Sequence, residues 1–365
     1  MTRKEFIKLC GVLGIGLPLQ NSLIACGEDD ISQSTFQGKV TIIGAGAGGL
    51  SAGYLLHQQG IDFEILEASD NYGGRMKINN DFADFPIPLG AEWLETSTDI
   101  FQQIVNDSSI QPNIETVADK PDRKFVNYSW FNFFEEYILP SIESKIIYNM
   151  IVDSINYSSD QVIITSGNTQ FTSDKVIVSV PLKILQEGEI NFEPDLPQEK
   201  QNAIQQTPIW EGFKAFIEFS EKFYEDEYVF QVNPSSDGEK IYYNAVIGQN
   251  TSRNILGLFT VGKPAQDFTS LPEDQIKDFI LNELDEIYGK KATPNYVKHL
   301  SQNWNKEPFI KSGYVSDHAD WRVMKILGNS IANKIYFAGG AYSDGEDWVS
   351  VHTAAQSAKR AVESL

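Results

Sequence analysis

Val40–Arg75 reads VTIIGAGAGGLSAGYLLHQQGIDFEILEASDNYGGR. Val40–Ile43 is a short β-branched run, which predicts a buried parallel strand. Gly44, Gly46 and Gly49 then complete GxGxxG, with Ala47 and Gly48 inside it. The first glycine permits a tight turn and the second lets backbone approach a pyrophosphate. The third lets the following helix pack closely on the strand. Leu50, Leu55 and Leu56 give that helix an apolar side. Its N-terminus offers free N–H groups and the positive end of the dipole to phosphates. Phe63–Leu66 predicts the second strand, and Glu67 closes it near the ~20-residue spacing expected of an acid that accepts from ribose hydroxyls. Strand, glycines, helix, strand and acid in this order predict a dinucleotide site. Glu67 would repel a phosphate on the adenosine ribose, so a cofactor without one is expected.

The chain has 365 residues, enough for a large core and two domains. Its net charge of −21 argues against nucleic acid as a partner, because the phosphate backbone would be repelled. Solubility is the simpler account of that charge, and attraction of cationic ligands is the other. The two cysteines are Cys10 and Cys26, so neither a disulfide nor a cysteine metal site is expected beyond them. Four scattered histidines show no metal-ligand spacing.

The first 26 residues read as a targeting segment. Arg3, Lys4 and Lys8 form a basic start, and Leu9–Leu19 is an apolar stretch too short to span a bilayer. Thr2–Lys8 resembles a twin-arginine export signal with Lys4 in place of the second arginine. Leu23-Ile24-Ala25-Cys26 resembles a bacterial lipobox, whose cysteine becomes a lipidated N-terminus, and Gly27–Asp30 follows as an acidic tether. A plain signal peptide is the alternative. The expectation is an exported protein, periplasmic or a surface lipoprotein of a Gram-negative bacterium. It would touch the membrane only through this segment.

Downstream, Met76–Trp93 reads as extended, and Ser97–Asn106 as a short helix capped by Ser97 or Thr98. The aromatic run Tyr128–Phe134 suits a core more readily than a pocket wall. Gln161–Val180 predicts strand, turn, strand, then a buried strand stopped by Pro181. Phe213–Phe219 alternates, and Tyr228–Val232, Lys240–Val246 and Ile255–Val261 extend an antiparallel sheet. Pro272–Tyr288 predicts a helix with Ile276, Phe279, Ile280, Leu284 and Ile287 on one face. Ile335–Ala338 returns to the first sheet, so the cofactor domain is assembled from separated pieces.

Five stretches together resemble the FAD-dependent amine oxidase family, which includes monoamine, polyamine and L-amino-acid oxidases. They are Val40–Arg75 with its Leu66-Glu67-Ala68 and Gly73-Gly74-Arg75; Leu89-Gly90-Ala91-Glu92-Trp93; Val152–Ile155; Val176–Lys200 followed by Lys214; and Trp304 through Ser312-Gly313-Tyr314 to Ala338-Gly339. The resemblance implies an α/β fold: a Rossmann-like FAD-binding domain of the two-dinucleotide-binding type, discontinuous in sequence, with a smaller α+β substrate domain on an antiparallel sheet. After the targeting segment (1–26) and a linker (27–38), residues 39–93, 145–187 and 302–365 would form the former. Residues 94–144 and 188–301 would form the latter.

It further implies that Gly44, Gly46, Ala47, Gly48 and Gly49 hold the pyrophosphate. Glu67 and Ala68 would face the adenosine ribose, Gly74 and Arg75 the phosphate or ribityl region, and Val152 the adenine. Gly90, Ala91, Glu92, Trp93 and Trp304 would lie beside the isoalloxazine, with Gly339, Gly340 and the N–H of Val351 completing the site. Lys214 is the implied catalytic residue, holding a water at flavin N5. Gly340 stands where the family usually has an acid or Thr, and Thr353 where it usually has Gly. With no cysteine beyond Cys26, the FAD is expected to be non-covalent. The short stretch between Trp93 and Val152 predicts a more open pocket. The implied reaction removes a hydride equivalent from the carbon next to an amine and passes it to oxygen, giving hydrogen peroxide. An amino-acid substrate would need an arginine clamp, for which Arg123, Arg253 and Arg322 are candidates. The alternatives are another flavin oxidase or desaturase, or an FAD-binding envelope protein without turnover.

Overall fold

The computed structural model describes residues 36–118, 122–225, 230–231, 235–343 and 349–365. The expected targeting segment and most of the linker lie outside them. In chain order, the elements that place the site are β1 (Lys39–Ile43), α1 (Ala47–Gln58), β2 (Asp62–Leu66), β3 (Ile146–Ile147), β4 (Lys175–Val178), β5 (Gly212–Phe219), β6 (Gly238–Asn244), β7 (Asn254–Gly262), α2 (Glu273–Tyr288), β8 (Tyr296–Asn303), β9 (Ile335–Phe337) and α3 (Val351–Glu363).

Parallel pairing gives a five-stranded sheet in the order β9, β4, β1, β2, β3. The chain leaves β1 toward β2 but re-enters on the opposite side at β4. That reversal leaves a crevice at the carboxyl ends of the strands, where α/β sheets bind ligands. Hydrogen bonds continue the ladder past those ends. Gly44 N–H donates to Leu66 O, Ser179 N–H to Ile43 O and Ala338 N–H to Val178 O. They bring the turn after each strand to one edge. Gly44 has φ of +100°, which favours glycine. A Cβ on Gly49 would lie 1.9 Å from Gly44 O, so this glycine sets how closely α1 packs on β1.

The core on one face joins Val40 and Ile42 to Leu50 and Leu56 of α1 and to Ala355, Ala358 and Val362 of α3. Phe101, Trp130, Phe133, Phe134 and Ile142 belong to the same cluster. The boundary expected at residue 94 therefore cuts through one core. The aromatic stretch of 94–144 covers the Rossmann sheet instead of walling a separate domain, because burying those rings requires a large apolar surface. The expected helix at Ser97 begins later, at Ile100. Ser97 and Thr98 contribute carbonyls to a tight turn, and no side chain caps the helix.

The second sheet runs in the order Phe230–Gln231, β6, β7, β5, β8, antiparallel throughout. The rest of the strand expected over Tyr228–Val232 lies outside the described residues. Alternation along β5 sends Phe213, Ala215, Ile217 and Phe219 to the face covered by α2. On α2 that face is Ile276, Ile280, Leu281 and Leu284. Phe279 and Ile287 fall on its flank and stay 38% and 42% exposed, so the stripe is narrower than the periodicity implied.

Lys200 joins two distant pieces. It lies on a helix at Gln198–Gln206 and its Nζ donates to the carbonyls of Ile326, Leu327 and Asn329 at the end of helix Trp321–Gly328. Burial pushes its pKa down to about 6. Three acceptors and the face of Phe337, 3.5 Å away, favour the ammonium form.

Candidate active site

A cavity of about 560 Å³ opens at the switch point of the parallel sheet and runs to the antiparallel sheet. Of the site residues expected from the sequence, Gly44, Gly46, Ala47, Gly48, Glu67, Ala68, Gly74 and Arg75 line it. So do Gly90, Ala91, Glu92, Trp93, Val152, Lys214, Trp304, Gly339, Gly340 and Val351. Gly49 sits behind the wall, in helix–strand packing.

The crevice suits a dinucleotide on three observations. A Cβ on Gly46 would meet nothing within 4 Å, so backbone there borders open space. The N-terminus of α1 beside it has no side-chain cap and no acidic residue in its first turn, leaving its N–H groups for phosphate oxygens. Glu67 is held in place by Ala45 N–H at 2.6 Å and by Ser69 N–H and Oγ–H at 2.9 and 2.7 Å. Arg75 Nη1 donates to Gly313 O, and the ionisable groups that act on Arg75 are Tyr342 and Tyr314. At the other end, Trp93 and Trp304 line the cavity with aromatic surface on which a flavin ring can pack. These residues fit FAD.

Thr353 departs from the family glycine for a local reason. Its Oγ accepts from Ser350 N–H at 2.8 Å, while its own N–H donates to Ser350 Oγ at 3.2 Å. This reciprocal cap starts α3 at Val351, which lines the cavity.

Lys214 lies on the face of β5 opposite α2. Its Nζ donates to Pro88 O at 3.0 Å, Gly90 O at 3.0 Å and Glu92 Oε2 at 2.5 Å. Three acceptors require all three ammonium protons, so this lysine is charged. In this placement none of those protons is left for a water at the flavin, which differs from the role the resemblance implies. Lys214 instead clamps the Leu89–Ala91 turn and contributes charge. Burial lowers its pKa, Glu92 opposes that shift, and Lys124 adds to it.

Glu92 is the hub. Its Oε2 also accepts from Tyr243 Oη–H at 2.6 Å, and Lys124 Nζ lies 3.2 Å from Oε1. Burial would raise the pKa of Glu92, but the two lysines and the donated hydrogen bonds outweigh it and hold it below the ordinary value. Tyr243 reaches Glu92 because its ring lies across Gly257, where a Cβ would be 2.4 Å from it. Lys124 arrives on a short strand, Arg123–Phe125, that pairs with Trp93–Leu94. No motif pointed to Lys124 or Tyr243. The three arginines proposed as a carboxylate clamp lie outside the cavity. Arg253 pairs with Glu218 and Asp84, and Arg322 with Asp320. Local carboxylates hold those two, and Arg123 is exposed.

Residues 134–365 match the model of the flavin containing amine oxidoreductase family, and residues 42–107 match an NAD(P)-binding Rossmann-like domain. Lysine-specific histone demethylase 2 of Homo sapiens is 22% identical over 93% of this chain and 54% of its own length. Probable polyamine oxidase 4 of Arabidopsis thaliana is 27% identical over 51% of this chain and 37% of its own. The chain thus spans about half the length, or less, of these curated relatives. A triple mutant of putrescine oxidase redesigned in its cofactor binding superposes with a TM-score of 0.72 at 14% identity, covering 90% of this chain and 98% of that one. With the family model covering well over half of the residues, this chain belongs to the flavin containing amine oxidoreductase family.

Proposed function

We propose that this protein is an FAD-dependent oxidase that takes a hydride equivalent from the carbon next to an amine and passes it to oxygen, releasing an imine that hydrolyses and hydrogen peroxide. The observation that carries this reading is the convergence of the Gly44–Gly49 turn, the Leu89–Trp93 turn and Lys214 on one cavity. Bound FAD supplies the electron-accepting ring. The chain's own residues bind and orient it: the α1 N-terminus and Arg75 at the phosphates, Glu67 at the ribose, and Trp93 and Trp304 beside the ring. The buried cation of Lys214 opposes negative charge that develops there.

The cavity wall also supports an amine over an amino acid. Outside the dinucleotide end and the Glu92–Lys214 pair, it carries Glu95, Glu189 and Glu307 against Lys77. Such a surface attracts cations. Arg75, the one arginine in that wall among the described residues, belongs to the dinucleotide end. The named relatives point the same way, being a histone lysine demethylase, a polyamine oxidase and a putrescine oxidase. Peroxide release should be measured with diamines, polyamines, amino acids and saturated C–C substrates in parallel. Peroxide with amines is the expected result. Turnover only with desaturation substrates would place the protein among other flavin oxidases. Bound flavin without turnover on any class would make it a binding protein.

We also propose export as a lipoprotein, supported by Arg3, Lys4, Lys8 and the Leu23–Cys26 box. Cys26→Ser is expected to leave the protein unprocessed or to release it from the membrane fraction. Unchanged processing and fractionation would end that reading.

A further inference from the structure

Lys214 and Glu92 form a neutral pair, complete in itself. The fold nevertheless buries a second cation beside it. Lys124, Glu92 and Lys214 have side chains only 5%, 1% and 3% exposed. Burying an ion costs several kcal/mol unless it is paired. One carboxylate cannot neutralise two ammonium groups, so the cluster carries one net positive charge.

The geometry separates the two lysines by task. Lys214 is hydrogen-bonded to Oε2, whereas Oε1 receives no hydrogen bond although Lys124 Nζ is 3.2 Å away. Lys124 spends a proton on Ala245 O at 2.6 Å and lies 5.3 Å from the centre of the Tyr243 ring. Its contact with Glu92 is therefore one of charge. Lys124 does not line the cavity, while Glu92 and Lys214 do.

We propose that Lys124 is a positioning residue that restores the positive charge cancelled by Glu92, so that Glu92, Lys214 and Lys124 act on the bound flavin as one unit of charge +1. Glu92 then anchors Lys214 under the Leu89–Ala91 turn without cost to the field at the flavin ring. A lone Lys214–Glu92 pair would hold the turn equally well but would present no net charge to a ring that gains electrons. The proposal rests on FAD binding in this cavity and not on the identity of the amine.

The test is the midpoint potential of the bound flavin, which needs no substrate. Lys124→Met makes the cluster neutral. The flavin should become harder to reduce by at least tenfold in the equilibrium constant, about 30 mV for a two-electron couple. Lys124→Arg should keep the parent potential. The double variant Glu92→Gln with Lys124→Met again carries +1 and should return close to the parent. If Lys124→Met fails to fold, Glu92→Gln alone decides, and it must make the flavin easier to reduce. An unchanged potential in Lys124→Met, or a double variant as low as the single one, overturns the proposal while leaving FAD binding intact. Parent protein that binds no flavin overturns both.

Discussion

Lys214→Met should retain FAD but lose at least tenfold in flavin reduction by amine or in reoxidation by oxygen. The substitution keeps most of the aliphatic stem, so the packing beside Trp93 and Phe216 survives. It removes a buried cation from the cavity wall and frees the carbonyls of Pro88 and Gly90. It also strips Glu92 of its closest partner. Breaking a buried pair typically costs ~3–5 kcal/mol, and we expect about 3 because Lys124 still faces Oε1. Stopped-flow spectroscopy reads the two half-reactions separately, and denaturant unfolding reads the stability. A variant matching the parent in both half-reactions would reduce Lys214 to a clamp.

Two glycine substitutions should separate folding from cofactor binding. Gly46 has φ of −80° and ψ of −174°, a conformation that alanine adopts, and its Cβ would meet no protein atom within 4 Å. Gly46→Ala should leave the apo-protein within ~0.5 kcal/mol of the parent. The added methyl would project into the space assigned to the pyrophosphate. FAD affinity should fall about a hundredfold, or ~2.7 kcal/mol. Gly49→Ala should do the reverse first, because its Cβ would lie 1.9 Å from Gly44 O and 3.3 Å from Ile42 Cγ2. Helix α1 must move off β1, at a cost of about 3 kcal/mol or more. Thermal melts of the apo-proteins and FAD titrations would check both. Equal effects of the two variants would remove the assigned roles.

These two residues also show what a sequence reveals. Val40–Glu67 was legible because strand, turn, helix, strand and acid are consecutive, and each obeys a local rule. Lys214 was legible as the polar exception on an alternating strand. Its hydrogen bonds were not, since Pro88, Gly90 and Glu92 come from a loop far away in the chain. Lys124 was invisible. In Arg123-Lys124-Phe125 it looks like a surface charge, and pairing with Trp93–Leu94 together with contacts to Ala245 and Tyr243 buries it. The domain boundary failed for a similar reason. Phe101, Trp130 and Phe133 look like a pocket or a separate core until the sheet they cover is known. Thr353 was read as a departure, but it serves as half of a helix cap.

The crevice is also a statement about assembly order. Lys39 is tied to Asp174 across 135 positions, and β4 is in turn bordered by β9 near residue 335. A Cβ on Gly48 would strike Gly339, so the two walls of the phosphate end come from distant parts of the sequence. Loop-closure entropy must be met before any of this surface exists. The β1–α1–β2 unit, though synthesised early, therefore has no floor on which a dinucleotide can rest. Cofactor capture selects the finished polypeptide and stabilises it by mass action. A membrane route that threads this chain unfolded would have to load FAD on the far side, while a route for folded cargo would deliver the holoprotein.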